Sequence, residues 1–181
     1  MEEMEELIKK AQNGSEEAFT QIIVSMECNL YKISKMRLDC EDDINEAVQE
    51  TIIQTFKSIK KIKKPCFFKT WITKVLINNC NKIYKKKKNS KIVQYNENEE
   101  TIISMENNDS IEKLNSNVDF FFLIKKLNYN ERMALTLYYL EELTTKEISI
   151  VLNESESTIR NRISRARNKL KEMINGGVYN G

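Results

Sequence analysis

Basic side chains are concentrated on one predicted helix close to the end of the chain. Between Ser157 and Lys171 the sequence contains six basic residues and no acidic one. Apolar residues in the same stretch recur every three or four positions, which predicts an amphipathic helix. Its inward stripe is predicted to consist of Ile159, Ile163, Ala166, Leu170 and Ile174. A charged outer face is often only a solvated surface, but such surfaces mix both signs of charge, so the absence of acids favours contact with a polyanion.

A shorter predicted helix precedes the basic one and is separated from it by a tight turn. The shorter helix opens near Thr144 or Thr145. Its apolar stripe is predicted to consist of Leu143, Ile148, Val151 and Leu152. Asn153 lies where the chain must turn, and asparagine tolerates a left-handed backbone. Ser155 and Ser157 can cap the second helix, so the pair has the pattern of a helix-turn-helix.

The second helix of a helix-turn-helix enters the major groove of DNA with its first turn foremost. Residues in that turn reach base edges, and basic residues further along reach phosphates. The predicted base contacts are Ser157, Thr158, Arg160 and Asn161, and Arg165 is the predicted phosphate contact.

The composition indicates a helical protein without catalytic chemistry. The chain has 181 residues, of which 40% are hydrophobic and 31% charged, with four glycines and one proline, Pro65. Such scarcity of helix breakers predicts an all-α fold. Histidine, the commonest general base, is absent, and no glycine lies between Gly14 and Gly176 to form a phosphate-binding loop. We therefore expect no enzyme activity, no cofactor and no small-molecule substrate.

The cysteines and the hydropathy pattern exclude further classes of protein. The four cysteines are Cys28, Cys40, Cys66 and Cys80, and no two form a CxxC pair. This spacing predicts reduced, partly buried thiols, with no metal site and no redox motif. No apolar run reaches membrane-spanning length and the N-terminus is acidic, so we expect no insertion into membranes, no secretion signal and a cytoplasmic location.

Charge changes sign from one segment of the chain to the next. Residues 1–56 carry 13 acids and 5 bases, whereas residues 57–91 carry 13 lysines and no acid. Residues 92–131 hold 8 acids and 3 bases, and residues 132–181 hold 6 acids and 8 bases. This alternation predicts two surfaces for a polyanion and separate acidic surfaces for another partner.

Helical periodicity divides the chain into two small helical domains joined by a flexible acidic linker. Residues 1–88 are predicted to form four helices. The third of these helices is predicted to bury Ala47, Val48, Thr51, Ile52, Thr55, Phe56 and Ile59. Residues 89–117 lack periodicity and are rich in Asn, Ser and Glu, which predicts the linker. Residues 118–175 are predicted to form four more helices, with a tail at 176–181. Their core is predicted to include Phe121, Ile124, Leu127, Leu135, Leu137 and Tyr138.

The fourth predicted helix interleaves aromatic residues with lysines. It begins at Phe67 or Phe68, includes Trp71 and ends in the lysines at 85–88. Aromatic faces stack on unpaired bases while lysines hold the phosphate backbone, as in the binding of single-stranded nucleic acid. Aromatics at helical spacing are also common in protein cores. The sequence therefore leaves open whether Trp71 is buried, and favours exposure of Phe67.

The end of the C-terminal domain carries a motif that is similar to one of a known family. The run from Leu127 to Leu170 contains TIRNRISRAR, at Thr158 to Arg167. It resembles the TVKSRLHRAR segment of region four in bacterial extracytoplasmic-function (ECF) sigma factors of the sigma-70 family, which recognises the upstream promoter element. Asn153 stands where that family usually has the glycine of the turn.

The N-terminal domain resembles region two of the same family. EAVQET, at Glu46 to Thr51, is similar to the DLVQET helix, and the resemblance implies that Glu46, Gln49 and Glu50 bind the clamp helices of core RNA polymerase. FKTWITKVLINN, at residues 68–79, is similar to the FRTWLYRIARNL helix, which recognises and melts the downstream promoter element. The resemblance implies contacts to that element from Phe67, Phe68, Lys69, Trp71, Lys74 and Asn78.

The resemblance implies a two-domain sigma factor without catalysis of its own. Its partners would be core RNA polymerase, promoter DNA and an anti-sigma factor that holds it inactive. The loop from Pro65 to Phe67 would help to capture an unstacked base. Lys82 stands where the family often has aspartate, so the downstream specificity is not defined. The acids of the linker would lie in a positively lined polymerase channel or on a solvated tether.

Two other functions are compatible with parts of the pattern. A free-standing helix-turn-helix regulator would bind an operator tightly without polymerase. A helical interaction protein with no role on DNA would have no salt-dependent affinity for nucleic acid. The presence of both sigma-like segments in the expected order favours the sigma factor over either.

Overall fold

The computed structural model of the chain describes residues 2–95 and 123–178, and all the regular structure within them is helical. We call residues 2–95 the N-terminal unit and residues 123–178 the C-terminal unit. The N-terminal unit contains α1 (Glu2–Gln12), α2 (Glu16–Lys35), α3 (Glu41–Ser58) and α4 (Phe68–Tyr95). The C-terminal unit contains a helical turn at 123–125, then α5 (Tyr129–Tyr139), α6 (Thr145–Leu152) and α7 (Glu156–Val178). The predicted all-α class with two helical units is confirmed.

Local signals set the start of α2. Gly14 has a φ of 101°, a left-handed value that side chains beyond glycine rarely adopt, so the chain can reverse between α1 and α2. Ser15 then caps α2, because its Oγ accepts a hydrogen bond from the backbone N–H of Ala18 at 3.2 Å. Glu16 and Glu17 occupy the first turn, where the helix dipole favours negative charge.

The core of the N-terminal unit is formed where α3 packs on α2 and α4. The largest side chains sealed inside it are Ile8, Ile22, Leu30, Ile33, Ile44, Phe68, Ile72 and Leu76. The loop between α3 and α4 contains two short 3-10 turns, Ile59–Lys61 and Pro65–Phe67. Gln12 fixes the first part of this loop, since its Nε2 donates to the carbonyl oxygens of Ile59 at 3.0 Å and Ile62 at 2.7 Å. The loop that leads into α4 is therefore held to α1.

The C-terminal unit buries the apolar faces of its helices in a hydrophobic cluster that is continuous with the core of the N-terminal unit. Met133, Leu135 and Leu137 of α5 are at most 1% exposed. They share this core with Ile148 of α6 and Ile159 of α7, which are both fully buried. The predicted helix-turn-helix, α6 and α7, is thus anchored on α5.

Several sequence-based predictions about these elements are wrong. Helix α4 continues past Lys88 to Tyr95, so the linker does not begin at 89. Phe56 is 56% exposed, because it lies at the end of α3 and only meets the edge of Phe19, at 5.2 Å between ring centroids. Ile174 is 53% exposed near the end of α7. All four cysteines are free, but only Cys80 is buried, and this burial raises the pKa of its thiol to about 11.

Other predictions fall outside the part of the chain that the structure describes. They are the linker from residue 96 onward, Phe121 in the C-terminal core, and the last residues of the tail. Within the described ranges, none of the helices has the length and apolar character needed to traverse a lipid bilayer. The same residues contain no cluster of three or more acidic or cysteine side chains that could hold a metal ion.

Candidate nucleic-acid interface

The turn between α6 and α7 has the predicted left-handed geometry. Asn153 ends α6 with φ 56° and ψ 49°. At the other end of α6, Thr144 and Glu147 form a capping box. Thr144 Oγ1 accepts from the backbone N–H of Glu147 at 3.2 Å, and the Glu147 carboxylate accepts from the backbone N–H of Thr144 at 2.9 Å. Helix α6 is therefore fixed at both ends, which sets the angle at which α7 departs.

Loss of the capping box should destabilise the C-terminal unit. We expect Thr144→Ala to lower the free energy of unfolding by about 0.5–2 kcal/mol, because one backbone donor of α6 loses its acceptor. Urea unfolding followed by circular dichroism measures this change. Ser149→Ala is the matched control, since the Ser149 hydroxyl only donates to the carbonyl of Lys146 in its own helix. Equal losses in the two variants would remove the capping box as the cause.

The residues predicted to touch base edges lie in the first turns of α7. Ser157, Arg160 and Asn161 are exposed, and Thr158 is partly buried. Ser155 caps the helix, because its Oγ accepts from the backbone N–H of Thr158 at 3.1 Å and also shares a hydrogen bond with the Thr158 hydroxyl at 2.7 Å. Ser157, Arg160 and Asn161 therefore project from a rigid helix start.

Most of the basic residues on α7 have partners inside the protein. Arg162 pairs with Glu154 at 2.5 Å, and Arg160 pairs with Glu156 at 2.6 Å. Further along, Lys169 reaches the buried carboxylate of Glu131 on α5, at 2.8 Å. The Arg167 guanidinium lies 5.1 Å from the ring centroid of Tyr138 and 5.3 Å from that of Tyr139. Among the described residues, Arg165 and Lys171 are the basic side chains of this stretch without such a partner.

These pairings show why counting charges along α7 overestimated the number of basic side chains that are available to DNA. The sequence contains no acid from Ser157 to Lys171, but acids lie just before α7 at Glu154, at its first residue Glu156, and on α5 at Glu131. For Arg160 the partner, Glu156, lies four residues earlier, so this pair could be recognised from the sequence as an i, i+4 pair. The Glu131–Lys169 pair joins residues 38 positions apart, so only the packing of α5 on α7 brings it together.

The two adjacent phenylalanines before α4 have opposite environments. Phe67 ends the 3-10 turn and is 48% exposed, with Lys64 Nζ 5.9 Å from its ring centroid. Phe68 begins α4 and is 1% exposed. The prediction that Phe68 touches DNA is therefore wrong, because its ring is enclosed by the core and presents no face to a base. Phe67 keeps an open face beside a lysine.

The other residues predicted to bind the downstream element lie along the first half of α4. Trp71 is partly buried against the core, and its ring centroid lies 6.1 Å from that of Phe68. Lys69 and Lys74 are partly exposed, and Asn78 is exposed. Lys69 Nζ pairs with Glu141 of the C-terminal unit at 3.5 Å. Apart from Phe68, the predicted set is thus available at the surface, though part of it faces the C-terminal unit.

The residues predicted to bind polymerase share one face of α3. Glu46, Gln49 and Glu50 are all exposed. Gln54 orients this face, since its Nε2 donates to Glu50 at 2.8 Å and lies 3.3 Å from Asn79 Oδ1 on α4. Ile53 follows on the same face and is 45% exposed, a residue that the sequence analysis did not single out. The signal available in the sequence was the spacing of Ile53, three residues after Glu50 and on the same helical face.

Comparison with known families agrees with this geometry. Residues 27–90 match the family model described as sigma-70 region 2, and residues 121–170 match the one described as sigma-70, region 4. Together the two matches cover more than half of the chain, in the order that the sequence predicted. The chain belongs to the sigma-70 family. Region 2 contains α3 and most of α4, and region 4 contains the helix-turn-helix.

Curated relatives place this sigma factor among the ECF sigma factors. It is 27% identical to the ECF RNA polymerase sigma-E factor of Haemophilus influenzae over 177 residues, which is 93% of each chain. It is 47% identical to the ECF sigma factor SigM of Bacillus subtilis over 55 residues, which is 30% of this chain and 34% of SigM. The sigma factor is accordingly a member of the ECF group and directs transcription by RNA polymerase.

Solved structures share the fold of this sigma factor. CnrH in complex with the cytosolic domain of CnrY has a TM-score of 0.67 and 18% identity, covering 96% of this chain and 98% of CnrH. The sigma factor RpoE in complex with the anti-sigma factor NepR from Bartonella quintana also has a TM-score of 0.67 and 18% identity, covering 87% of this chain and 96% of RpoE. The helical fold of this chain is therefore shared with both solved structures.

Proposed function

We propose that this sigma factor uses three separate surfaces to start transcription at specific promoters. The exposed face of α3 binds core RNA polymerase. The first turns of α7 bind the upstream promoter element, and Phe67 with the first half of α4 binds and melts the downstream element. The observation that carries the proposal is the presence of both sigma regions in one chain, with most of the residues predicted for each contact at the surface.

The start of α7 has the side chains and the rigidity that recognition of duplex DNA needs. Ser157, Arg160 and Asn161 are donors and acceptors that fit base edges in the major groove. Arg165 lies one to two turns later on the exposed side of the helix, where a phosphate would pass. Because Arg160 forms an ion pair with Glu156, we assign the main contact with a phosphate to Arg165. The base contacts are assigned to the first turns of the helix.

The exposed ring of Phe67 supports a role in melting. Taking a base out of the stack costs a few kcal/mol, which contacts to the extruded base must offset. Phe67 offers an aromatic face, and Lys64, Lys69 and Lys74 supply positive charge for the backbone of the separated strand. Trp71 stands behind this surface and supports it through its contact with the core. Phe68 holds the start of α4 in place and takes no part in binding.

The α3 face supports the proposed contact with polymerase. Two carboxylates, an amide and the exposed side chain of Ile53 form a surface that combines polar and apolar groups, as protein interfaces commonly do. We further propose that an anti-sigma factor binds this chain, because the similar RpoE structure is a complex with the anti-sigma factor NepR. The protein would then act in the cytoplasm, where its polymerase is.

Run-off transcription tests the proposed function directly. Purified bacterial core RNA polymerase would be incubated with genomic fragments, with and without this protein. We expect discrete new transcripts that depend on the protein, and their start sites define the two promoter elements. If no transcript appears and the protein alone retains a specific DNA fragment, the chain is a free-standing regulator that binds an operator.

A double substitution on α3 tests the polymerase contact. We expect Gln49→Ala with Glu50→Ala to weaken binding to core polymerase about tenfold, since each lost interface hydrogen bond contributes about 0.5–1.5 kcal/mol. Fluorescence anisotropy of the labelled sigma factor against core polymerase measures the affinity. The control is Glu6→Ala with Gln21→Ala, which removes the same two kinds of exposed side chain from α1 and α2. Equal affinity of the two double variants would show that the contact lies elsewhere.

A further inference from the structure

Two arginine–glutamate pairs lie at the start of α7, and their surroundings differ. Arg162 pairs with Glu154, which belongs to the turn before the helix, and only 19% of the Arg162 side chain is exposed. Arg160 pairs with Glu156, the first residue of α7, and 67% of the Arg160 side chain is exposed. Arg162 is therefore part of the packing of the turn, whereas Arg160 presents its guanidinium to solvent.

The Glu156 carboxylate is fixed from two sides. Its Oε1 atom accepts from Thr145 Oγ1, at the start of α6, and from Arg160 Nη2, both at 2.6 Å. These donors hold the pKa of Glu156 below its usual value, the Thr145 hydroxyl having the larger effect, so the carboxylate is ionised at neutral pH. Hydrogen bonds thus connect α6 to the exposed face of α7 through three side chains, Thr145, Glu156 and Arg160, which we call the Thr–Glu–Arg relay.

Arg160 uses only part of its guanidinium in the Thr–Glu–Arg relay. An arginine carries five N–H donors in a planar fork, and Nη2 is the atom that donates to Glu156. Within the described part of the chain, the guanidinium has no other acceptor. Arg160 and Thr145 also border an open hollow of about 420 Å³ on the protein surface. The remaining donors are thus free to bind two acceptors that lie side by side.

The restraint on Arg160 changes what this side chain can bind. An arginine that is already held in one orientation has less rotamer freedom to lose on binding, and its fork meets DNA at a defined angle. A free arginine at the same position can turn towards any nearby phosphate, a contact that does not depend on sequence. The negative charge of Glu156 acts in the same direction, because a carboxylate repels phosphates. The relay therefore favours contact with a base edge.

Two neighbouring acceptors on one base edge in the major groove identify a guanine. Guanine presents N7 and O6 there, and arginine binds these two atoms with a pair of hydrogen bonds. Adenine presents one acceptor beside an amino donor, thymine presents one acceptor beside a methyl group, and cytosine presents a donor. Guanine is therefore the base that can accept from both free donors of Arg160.

We infer that Thr145 and Glu156 are positioning residues that hold Arg160 for bidentate contact with one guanine of the upstream promoter element. This role depends on the proposed function, in which the start of α7 lies on that element. Glu156 acts by fixing Arg160, and Thr145 acts by fixing Glu156; neither touches the base. The Thr–Glu–Arg relay thus determines how strictly guanine is selected at one position and contributes little to the total affinity for DNA.

Selection from a pool of promoter fragments with a randomised upstream element tests the relay. Holoenzyme formed with this sigma factor would be incubated with the pool, and the bound fragments would be sequenced. We expect Arg160→Ala to abolish the enrichment of guanine at one position. Glu156→Ala should reduce the enrichment at that same position about tenfold, which corresponds to about 1.4 kcal/mol. Its affinity for non-promoter duplex should rise, because a negative charge near the phosphates is gone.

Substitutions of Thr145 test the first link of the relay. Thr145→Val removes the hydroxyl but keeps the shape of the side chain, so the guanine enrichment should fall about threefold, near the lower end for one lost neutral hydrogen bond. Thr145→Ser keeps the hydroxyl and should keep the enrichment. The cap of α6 is Thr144, so both variants should remain folded, which circular dichroism checks. Equal enrichment in the two variants would remove Thr145 from the relay.

Glu154→Ala is the matched control, because Glu154 forms the other ion pair, with the little-exposed Arg162. It should leave the guanine enrichment unchanged. An equal loss in Glu154→Ala and Glu156→Ala would show that these pairs only stabilise the turn, and would overturn the positioning role. Unchanged enrichment in Glu156→Ala would overturn it as well. If the wild-type holoenzyme selects no base in the randomised element, the proposed role of α7 is itself wrong, and the relay is excluded with it.

Discussion

Phe68→Ala is expected to lower the free energy of unfolding of the N-terminal unit by about 3–5 kcal/mol, whereas Phe67→Ala is expected to change it by less than about 0.5 kcal/mol. Phe68 is 1% exposed and its removal leaves a cavity at the start of α4. Phe67 is 48% exposed, so most of its ring already meets water. Urea unfolding followed by the fluorescence of Trp71, the single tryptophan, reports on this unit specifically.

The same pair of variants separates stability from promoter melting. We expect Phe67→Ala to reduce open-complex formation although the protein stays folded, because the ring that stacks on an extruded base is gone. Permanganate modification of unpaired thymines measures opening of the promoter by the holoenzyme. Phe67→Tyr retains an aromatic face and is expected to melt the promoter normally. A wild-type rate of opening in Phe67→Ala would exclude Phe67 from the melting surface.

The sequence predicted well those features that depend on neighbours within one turn of helix. The cap at Ser15, the left-handed turn at Asn153 and the start of α6 at Thr144 each rest on contacts between residues at most four or five positions apart. Most of the core stripe of α7 followed from periodicity for the same reason. Local geometry was enough to define the helix-turn-helix and the all-α class.

Features that depend on packing between helices were not accessible from the sequence. The sequence favoured exposure of Phe67 but still placed Phe68 among the DNA contacts, because the burial of Phe68 depends on where α4 begins and which ring the core encloses. The stacking of Arg37 on Tyr129 required both units to be in place, and nothing near Arg37 in the sequence signals it. The partners of the basic residues on α7 were missed where they lie on another helix.

Those partners leave Arg165 and Lys171 as the basic residues of this stretch of α7 that are unpaired within the described part of the chain, and Arg165 is the one closer to the start of the helix. We expect Arg165→Ala to weaken promoter binding by the polymerase holoenzyme by about 1.5–3 kcal/mol, the range for hydrogen bonds to charged groups. The logarithm of the binding constant should also fall less steeply with the logarithm of salt concentration, by about one unit of slope for one lost phosphate contact. Anisotropy of a labelled promoter fragment across a salt series measures both quantities.

The control for Arg165→Ala must remove one positive charge far from the proposed DNA surface. Lys9→Ala on α1 does so, since Lys9 is exposed and belongs to the other unit. It should leave the slope unchanged, because counterions are released only where a cation meets a phosphate. A similar small loss of affinity in both variants, with equal slopes, would mean that Arg165 acts only through net charge. The contacts to phosphate would then come from arginines that leave their partners in the protein when DNA binds, and Arg160 and Arg167 would be the first to substitute.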